Sequence, residues 1–377
     1  MVSDIQEVTF SSLSRISCDQ LPTLVSHLSQ TNLAFGFLKI SENEFRFAVS
    51  PSEKVMSFSG LVESKQIIKE GGFVAFPFDK NKHQGFLIPN EINPFGLDFQ
   101  DFYPKKKASL ETQLPKETAE NQYKLNTEKA VREIQDGHFQ KLVLARKKSV
   151  PMPEFDIQFF LERLLKNYPK AHLVVFQLPG YGLWISASPE ILLLQEGNTN
   201  LIKSMALAGT KTFAEGDDIK SQAWTEKDIE EQSLVSRFIK AKLNQIGYFQ
   251  FQEKGPYSVQ AGNLVHLRTD FQIVGKSENS FFELADALHP TSAVCGSPRK
   301  KAHEWLFENE GFDRSFFSGY GGFISQDVKK LVVLLRVCCW QDGILSFFSG
   351  AGITEQSDPE KEWIETGEKL KTLMQWI

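Results

Sequence analysis

A chain of 377 residues, 41% apolar and 24% charged, has the material for a close-packed interior, which excludes extensive disorder. That length fits one large domain built from two halves or two separate domains. Its 42 basic and 47 acidic side chains give a formal charge of −5, and no long basic tract is interleaved with aromatics, so nucleic acid is excluded as the default partner and a small soluble molecule is favoured.

The amino end, "MVSDIQEVTF", lacks the basic and apolar regions of a secretory signal, and the most apolar stretch, "LVVLLRVCCW", is ten residues long and contains Arg336. No membrane span is expected. Cys18, Cys295, Cys338 and Cys339 form no CxxC pair and no zinc-type spacing, so they read as reduced packing residues of a cytoplasmic protein. Residues 1–105 alternate Phe-rich strand candidates such as "LAFGFLKI" and "FRFAV" with Gly/Pro turns, which predicts a sheet-rich amino-terminal part. The charged, Pro-interrupted segment "DFYPKKKASLETQLPKE" reads as a connector. Helices are predicted over 119–137, 154–167, 227–243, 278–288 and 300–309, and from Pro359 onward. Strands are predicted at "AHLVVFQL", "GLWISAS", "EILLLQ", "KKLVVLLRVCCW" and "GILSFFSGAGI". The mixture is α/β or α+β without a regular βαβ rhythm, and its adjacent strand pairs favour antiparallel sheet. Neither GxGxxG after a strand nor GxxxxGK[ST] is present, so familiar nucleotide loops have no support.

Several polar side chains sit in apolar company. In "FQKLVLAR", Lys141 shares a strand face with Val143 and Ala145, which fits either an edge lysine or an amine held in a pocket to take a proton. The second use needs a neutral amine, so no carboxylate should pair with it. Glu190, after Pro189 and before four apolar residues, fits a surface turn or a pocket wall where burial raises its pKa enough to donate a proton. In "LAGTK", Gly209 and Thr210 read as a tight turn whose N–H groups could hold an anion. Asp228 and Glu231 share a helix side that continues through Val235 and Phe238, which places Glu231 on the apolar stripe, where a hard divalent cation or a wet helix end would compensate it. His266 interrupts a strand, as a core histidine or a substrate contact. Arg336, within an otherwise apolar run, suits an internal ion pair or a bound carboxylate. On the last helix Ser357 and Glu360 have capping-box spacing, and Glu362, Glu365 and Lys369 share one side, as surface pairs or as a metal or anion site.

Taken in order, the blocks "FQKLVLAR", "SPEILL", "LAGT", "EKDIEEQSLV", "LVHLRT", "LHPTSAVCGSP", "FFSGYGG", "VVLLR", "SGAGI" and "SDPEKEWIETGEKL" resemble the chorismate-utilising enzymes, and among them the isochorismate synthases. The resemblance covers about 119–377. It implies one catalytic domain of two related α/β halves, with largely antiparallel sheets packed together, helices outside and the active site between. It implies Lys141 as general base and Glu190 as general acid, Glu231 and Glu365 as Mg2+ ligands, and Asp228 and Glu362 acting on the metal through water. Arg336 and Lys369 would receive substrate carboxylate, with Gly209, Thr210, His266, Ala293 and Gly352 lining the pocket. The implied reaction is addition of water at C2 of chorismate with loss of the C4 hydroxyl, giving isochorismate with no redox cofactor. A lysine base argues against ammonia as nucleophile, hence against a glutamine amidotransferase partner, and a monomer or weak homo-oligomer is expected. Ala208 stands where aminodeoxychorismate synthases place a nucleophilic lysine, and Ala293 where salicylate synthases tend to carry threonine. Ser292 departs from the family's usual proline. The alternatives are a salicylate synthase that goes on to eliminate pyruvate, and a non-catalytic binding subunit. Menaquinone and siderophore synthesis are both open as the product's use.

Overall fold

The computed structural model describes residues 15–64, 71–95, 102, 117–212, 218–219, 223–261 and 264–377. Apart from Phe102 and Glu117, the predicted connector lies outside the described residues. The amino-terminal part holds β1 (Arg15–Ser17), α1 (Leu21–Leu28), β2 (Ala34–Lys39), β3 (Glu44–Ser50), β4 (Met56–Phe58), α2 (Leu61–Ser64), β5 (Gly72–Phe76) and β6 (Gly85–Pro89). Then come α3 (Glu120–Gln135), β7 (Lys141–Pro151), α4 (Ile157–Asn167), β8 (His172–Leu178), β9 (Gly182–Ser188), β10 (Ile191–Glu196) and β11 (Leu201–Thr212). The chain continues through α5 (Glu226–Gln245), β12 (Phe251–Ala261), β13 (Leu264–Val274), α6 (Ser280–Leu288), β14 (Gly296–Ser297) and α7 (Arg299–Asn309). It closes with β15 (Tyr320–Ile324), β16 (Val328–Val333), β17 (Val337–Gln341), β18 (Ile344–Ile353) and α8 (Pro359–Met374).

These strands build two sheets. The first runs β1-β3-β2-β8-β9-β17-β18-β7-β14 and the second β12-β13-β11-β10-β16-β15-β5-β6-β4. The pairs are antiparallel, both between consecutive strands such as β8 and β9 and between distant ones such as β7 and β18. The amino-terminal strands enter both sheets, with β2 on β8 and β5 on β15.

Strand sequence explains the layering. β2 is buried along its whole length and β3 nearly so, although one face of β3 carries Glu44, Arg46 and Ser50, so each sheet is covered on both sides. One face of each meets the other sheet in a shared core holding Ala34, Phe73, Phe176, Trp184, Phe316, Val332 and Phe348. A side chain at Gly36 would overlap the Phe73 ring, so glycine is what lets the two sheets close there. The outer face of the first sheet packs on α1 and α4 through Leu24, Leu28, Phe160 and Leu164. That of the second packs on α5 and α6 through Val235, Ile239, Phe281 and Leu284. Cys338 and Cys339 point to opposite sides, into the outer and inter-sheet cores, as adjacent strand residues must. All four cysteines are free, and among the described residues no helix is long and apolar enough to cross a membrane.

Four expectations change. Helix α1 lies where only strands were predicted. "KKLVVLLRVCCW" is two strands: β16 belongs to the second sheet and β17 to the first, and the chain crosses between them at Leu334–Arg336. "LAGT" is not a turn, because Gly209 and Thr210 continue β11, with a bulge between Ala208 and Thr210 that Gly209 accommodates at φ +74. The cap of α8 is Asp358, whose carboxylate accepts from the Lys361 N–H; Ser357 Oγ instead accepts from the Thr354 N–H, and Glu360 pairs with Lys124.

Candidate active site

Where the chain crosses between the sheets, the strand ends leave a cavity whose empty space, open solvent at its mouth included, is about 650 Å³. Its walls come from both sheets and two helices. Residues 207–210 of β11 and His266 of β13 form one side, Val143, Ser349, Gly350 and Gly352 another, and Glu190, Arg336, Glu231, Ala293 and Lys369 close it.

Glu190 follows β9 and is 2% exposed, with its N–H donating to Ser188 Oγ. Burial pushes its carboxyl up to about 8, against the opposing pull of Lys141 and Arg336. A protonated acid near neutrality is the state the proton-donor reading requires. The sheet crossing explains Arg336. Its backbone takes φ +46 and its carbonyl accepts from the Ala187 N–H, which turns the side chain to the cavity rather than into either sheet. Burial lowers its pKa to about 10, offset in part by Glu365, Tyr168 and Glu190. It forms no ion pair with a described residue, which leaves its donor fork for an anion.

His266 Nδ1 lies 3.0 Å from Gly209 O and 3.2 Å from Thr210 Oγ1. A carbonyl acceptor requires the proton on Nδ1, so Nε2, buried without a partner, is left as an acceptor. Burial, with Arg336 and Lys369, drives its pKa to about 3, so the ring is neutral at ordinary pH.

Lys141 is placed differently from the expectation of an open, unpaired amine. It is fully buried, is absent from the cavity wall, and its Nζ is 2.9 Å from Glu231 Oε1, in a contact without hydrogen-bond alignment. It is also no edge lysine, since β7 runs between β18 and β14 there. Gly352 makes the contact possible: a Cβ there would overlap Glu231 Oε1 and stand 2.8 Å from Lys141 Cε. Burial pushes the Glu231 carboxyl up, but Lys141, Lys369 and Lys227 outweigh it and hold it below its ordinary value.

Helices α5 and α8 meet beside this wall through Lys227 and Glu362. A capping box starts α5, in which Thr225 Oγ1 accepts from the Asp228 N–H and Asp228 Oδ2 accepts from the Thr225 N–H. Asp228 is therefore a cap as well as a site neighbour. Glu362, 1% exposed, accepts from Lys227 Nζ at 2.5 Å through Oε1, while its Oε2 is buried without a hydrogen-bond partner among the described residues. Burial and the Glu365 charge raise its pKa. Glu365 pairs with Lys369 at 2.6 Å, and Lys369 also donates to Gly350 O. Among the described residues no three His, Cys, Asp or Glu side chains converge closely enough to hold a metal ion. The donor set is nonetheless all oxygen, as a hard divalent cation requires, and the orphaned Glu362 Oε2 is an atom that such an ion or its water would satisfy.

Lys227 was missed by sequence reasoning, although its place one helical turn before Glu231 is a legible signal. The wall residues Val143, Leu207, Val294, Phe317, Leu335 and Phe348 were missed because an apolar lining residue looks like any core residue.

A family profile described as "Chorismate binding enzyme" matches residues 90–377. Isochorismate synthase EntC of Escherichia coli (strain K12) is 32% identical over 241 residues, covering 62% of this chain but only 61% of that protein's length. The vibriobactin-specific isochorismate synthase of Vibrio cholerae serotype O1 is 26% identical over 379 residues, covering 93% and 94% of the two chains. A crystal structure from Bacillus anthracis, described as a putative 2,3-dihydroxybenzoate-specific isochorismate synthase, DhbC, superposes with a TM-score of 0.75 over 95% of this chain and 98% of its own, at 24% identity, which speaks for the fold. The profile match spans most of the sequence and contains every residue of the cavity wall, and the chain belongs to the chorismate binding enzymes.

Proposed function

We propose that this protein is an isochorismate synthase: it adds water at C2 of chorismate and expels the C4 hydroxyl, with the whole chain acting as one catalytic unit. The observation that carries this reading is Glu190, a buried carboxyl on the cavity wall that keeps its proton up to about pH 8 beside Arg336, which has no ion-pair partner among the described residues. An expelled hydroxyl needs a proton donor, and Glu190 is one at neutral pH. Arg336 and Lys369 fix the substrate's carboxylates, Gly209 and Thr210 shape the adjoining wall, and His266 Nε2 accepts from a substrate hydroxyl. Lys141 takes the proton of the attacking water, and returning that proton runs the reaction backwards.

Lys141 Nζ lies against Glu231 Oε1, so the base role requires Glu231 to be engaged elsewhere. Glu231 and Glu365, with Asp228 and Glu362 through water, would hold Mg2+, which would supply positive charge to the ring carboxylate; a Glu231 so engaged would no longer face Lys141. Lys227 and Lys369, now paired with Glu362 and Glu365, would then be released. Ala293, small and on the wall, leaves no hydroxyl at the position where salicylate synthases tend to have one.

The reading is tested by incubating the full chain with chorismate and Mg2+, without ammonia, and separating the products by chromatography. Isochorismate is the expected product. Salicylate with pyruvate would assign the salicylate synthase reaction, and chorismate binding without turnover would assign the non-catalytic role.

A further inference from the structure

Strand β7 carries Lys141, yet its outer neighbour β14 is only two residues long, pairing Ser297 with Lys141 and Gly296 with Leu142. Beyond it a buried strand edge would be left with unpaired N–H and C=O groups, each expensive away from water. The last bond supplied by that segment is Val143 N–H to Cys295 O, at 2.9 Å. After that, side chains replace the strand. Glu310 Oε1 accepts from the Ala145 N–H at 2.8 Å, and Arg314 Nη2 donates to Val143 O at 2.6 Å. Thr118 and Glu117 continue the same row at Lys147 and Ser149.

The pair is built for this place. Glu310 and Arg314 are 7% and 4% exposed, and Arg314 Nε donates to Glu310 Oε2 at 2.7 Å. Arg314 Nη1 donates to Val294 O at 2.8 Å, while the guanidinium lies 5.7 Å from the centre of the Phe317 ring. Val143, Val294 and Phe317 all line the cavity. One buried ion pair thus ties together three separate pieces of its wall, two residues along the strand from Lys141. Nothing in the proposed chemistry uses either charge, and a buried ion pair is a poor source of stability for its own sake.

We infer that Glu310 and Arg314 are positioning residues: they act as a surrogate strand that fixes the register of β7, and so the place of Lys141, against the 291–294 segment. The inference rests on the isochorismate synthase reading only for its kinetic readout. Lysine at 314 keeps the charge but cannot reach Glu310, Val143 O and Val294 O together.

The test compares full-length wild type with Arg314→Lys and Glu310→Gln, using cooperative melting to confirm folding, chorismate kinetics, and peptide-resolved amide exchange. For Arg314→Lys, kcat should fall about 10²-fold with KM unchanged, and protection should be lost selectively around Val143–Ala145. Glu310→Gln, whose amide nitrogen would face one of the Arg314 donors, should lose protection over the same residues and lower kcat in the same direction. A folded Arg314→Lys protein with wild-type kcat and protection would overturn the inference, and so would protection lost evenly across the molecule in both variants. If the wild type fails to turn over chorismate, the functional reading falls while amide exchange still decides the positioning role.

Discussion

Lys141 Nζ and Glu231 Oε1 meet at 2.9 Å across the gap left by Gly352, so the candidate base and a candidate metal ligand are in direct contact. One glycine sets that contact. In Gly352→Ala the added methyl occupies the meeting point, and the crowding should destabilise the fold by about 1–3 kcal/mol while turnover falls far more. Melting curves with chorismate kinetics check both, and unchanged kcat in a folded variant would show that the contact is incidental.

Glu190 links stability to pH. Its pKa is raised from 4.5 to about 8 in the fold, so between those values the folded state holds a proton that the unfolded state has released. Stability from this group is full below about pH 4.5 and is lost as pH rises through about 8, with a slope of up to about 1.4 kcal/mol per pH unit. Urea unfolding from pH 5 to 9 should show this decline in wild type and a shallower one in Glu190→Gln. Turnover should fall above about pH 8 as the donor ionises; a profile flat to pH 9 would remove Glu190 from the acid role.

Arg336 is expected to govern substrate binding. Arg336→Lys keeps the charge but loses the planar donor fork, and chorismate affinity should weaken by about 2–3 kcal/mol, measured by calorimetry. Unaltered affinity would place the substrate carboxylate elsewhere.

Glu362 is buried against Lys227, so Lys227→Met leaves an uncompensated carboxylate. Without added metal the variant should be less stable by about 3 kcal/mol. If the acids of α5 and α8 hold Mg2+, millimolar Mg2+ should raise the melting temperature of the wild type but not of Glu231→Gln/Glu365→Gln, and chelation should abolish turnover.

Much of this arrangement was legible in the sequence, and the reasons separate by residue. Period-2 and period-3.6 patterning marked β2, β3, β8, β9 and most helices, because those elements bury a face and their sequences must say so. It placed Glu231 on the stripe of Val235 and Phe238 for the same reason. The crossing at Arg336 was hidden, since β16 and β17 are both apolar and nothing in "LVVLLRVCCW" marks a change of sheet. The bulge at Gly209 was hidden because glycine marks turns and bulges alike. Partnership was least visible of all. Lys141 and Glu231 lie far apart in the chain, and periodicity reports which face a residue takes, never which residue it meets. The resemblance named polar residues of the cavity but gave no sign that Lys141 and Glu231 would meet.

Solvent labelling tests the central claim most directly. Turnover of chorismate in H2 18O, read by mass spectrometry of the product, should place one solvent oxygen at C2 of isochorismate, because the attacking group is water deprotonated by Lys141. Product that retains only the oxygens of chorismate would contradict water addition, and the assignment of Lys141 and Glu190 as base and acid would fall with it.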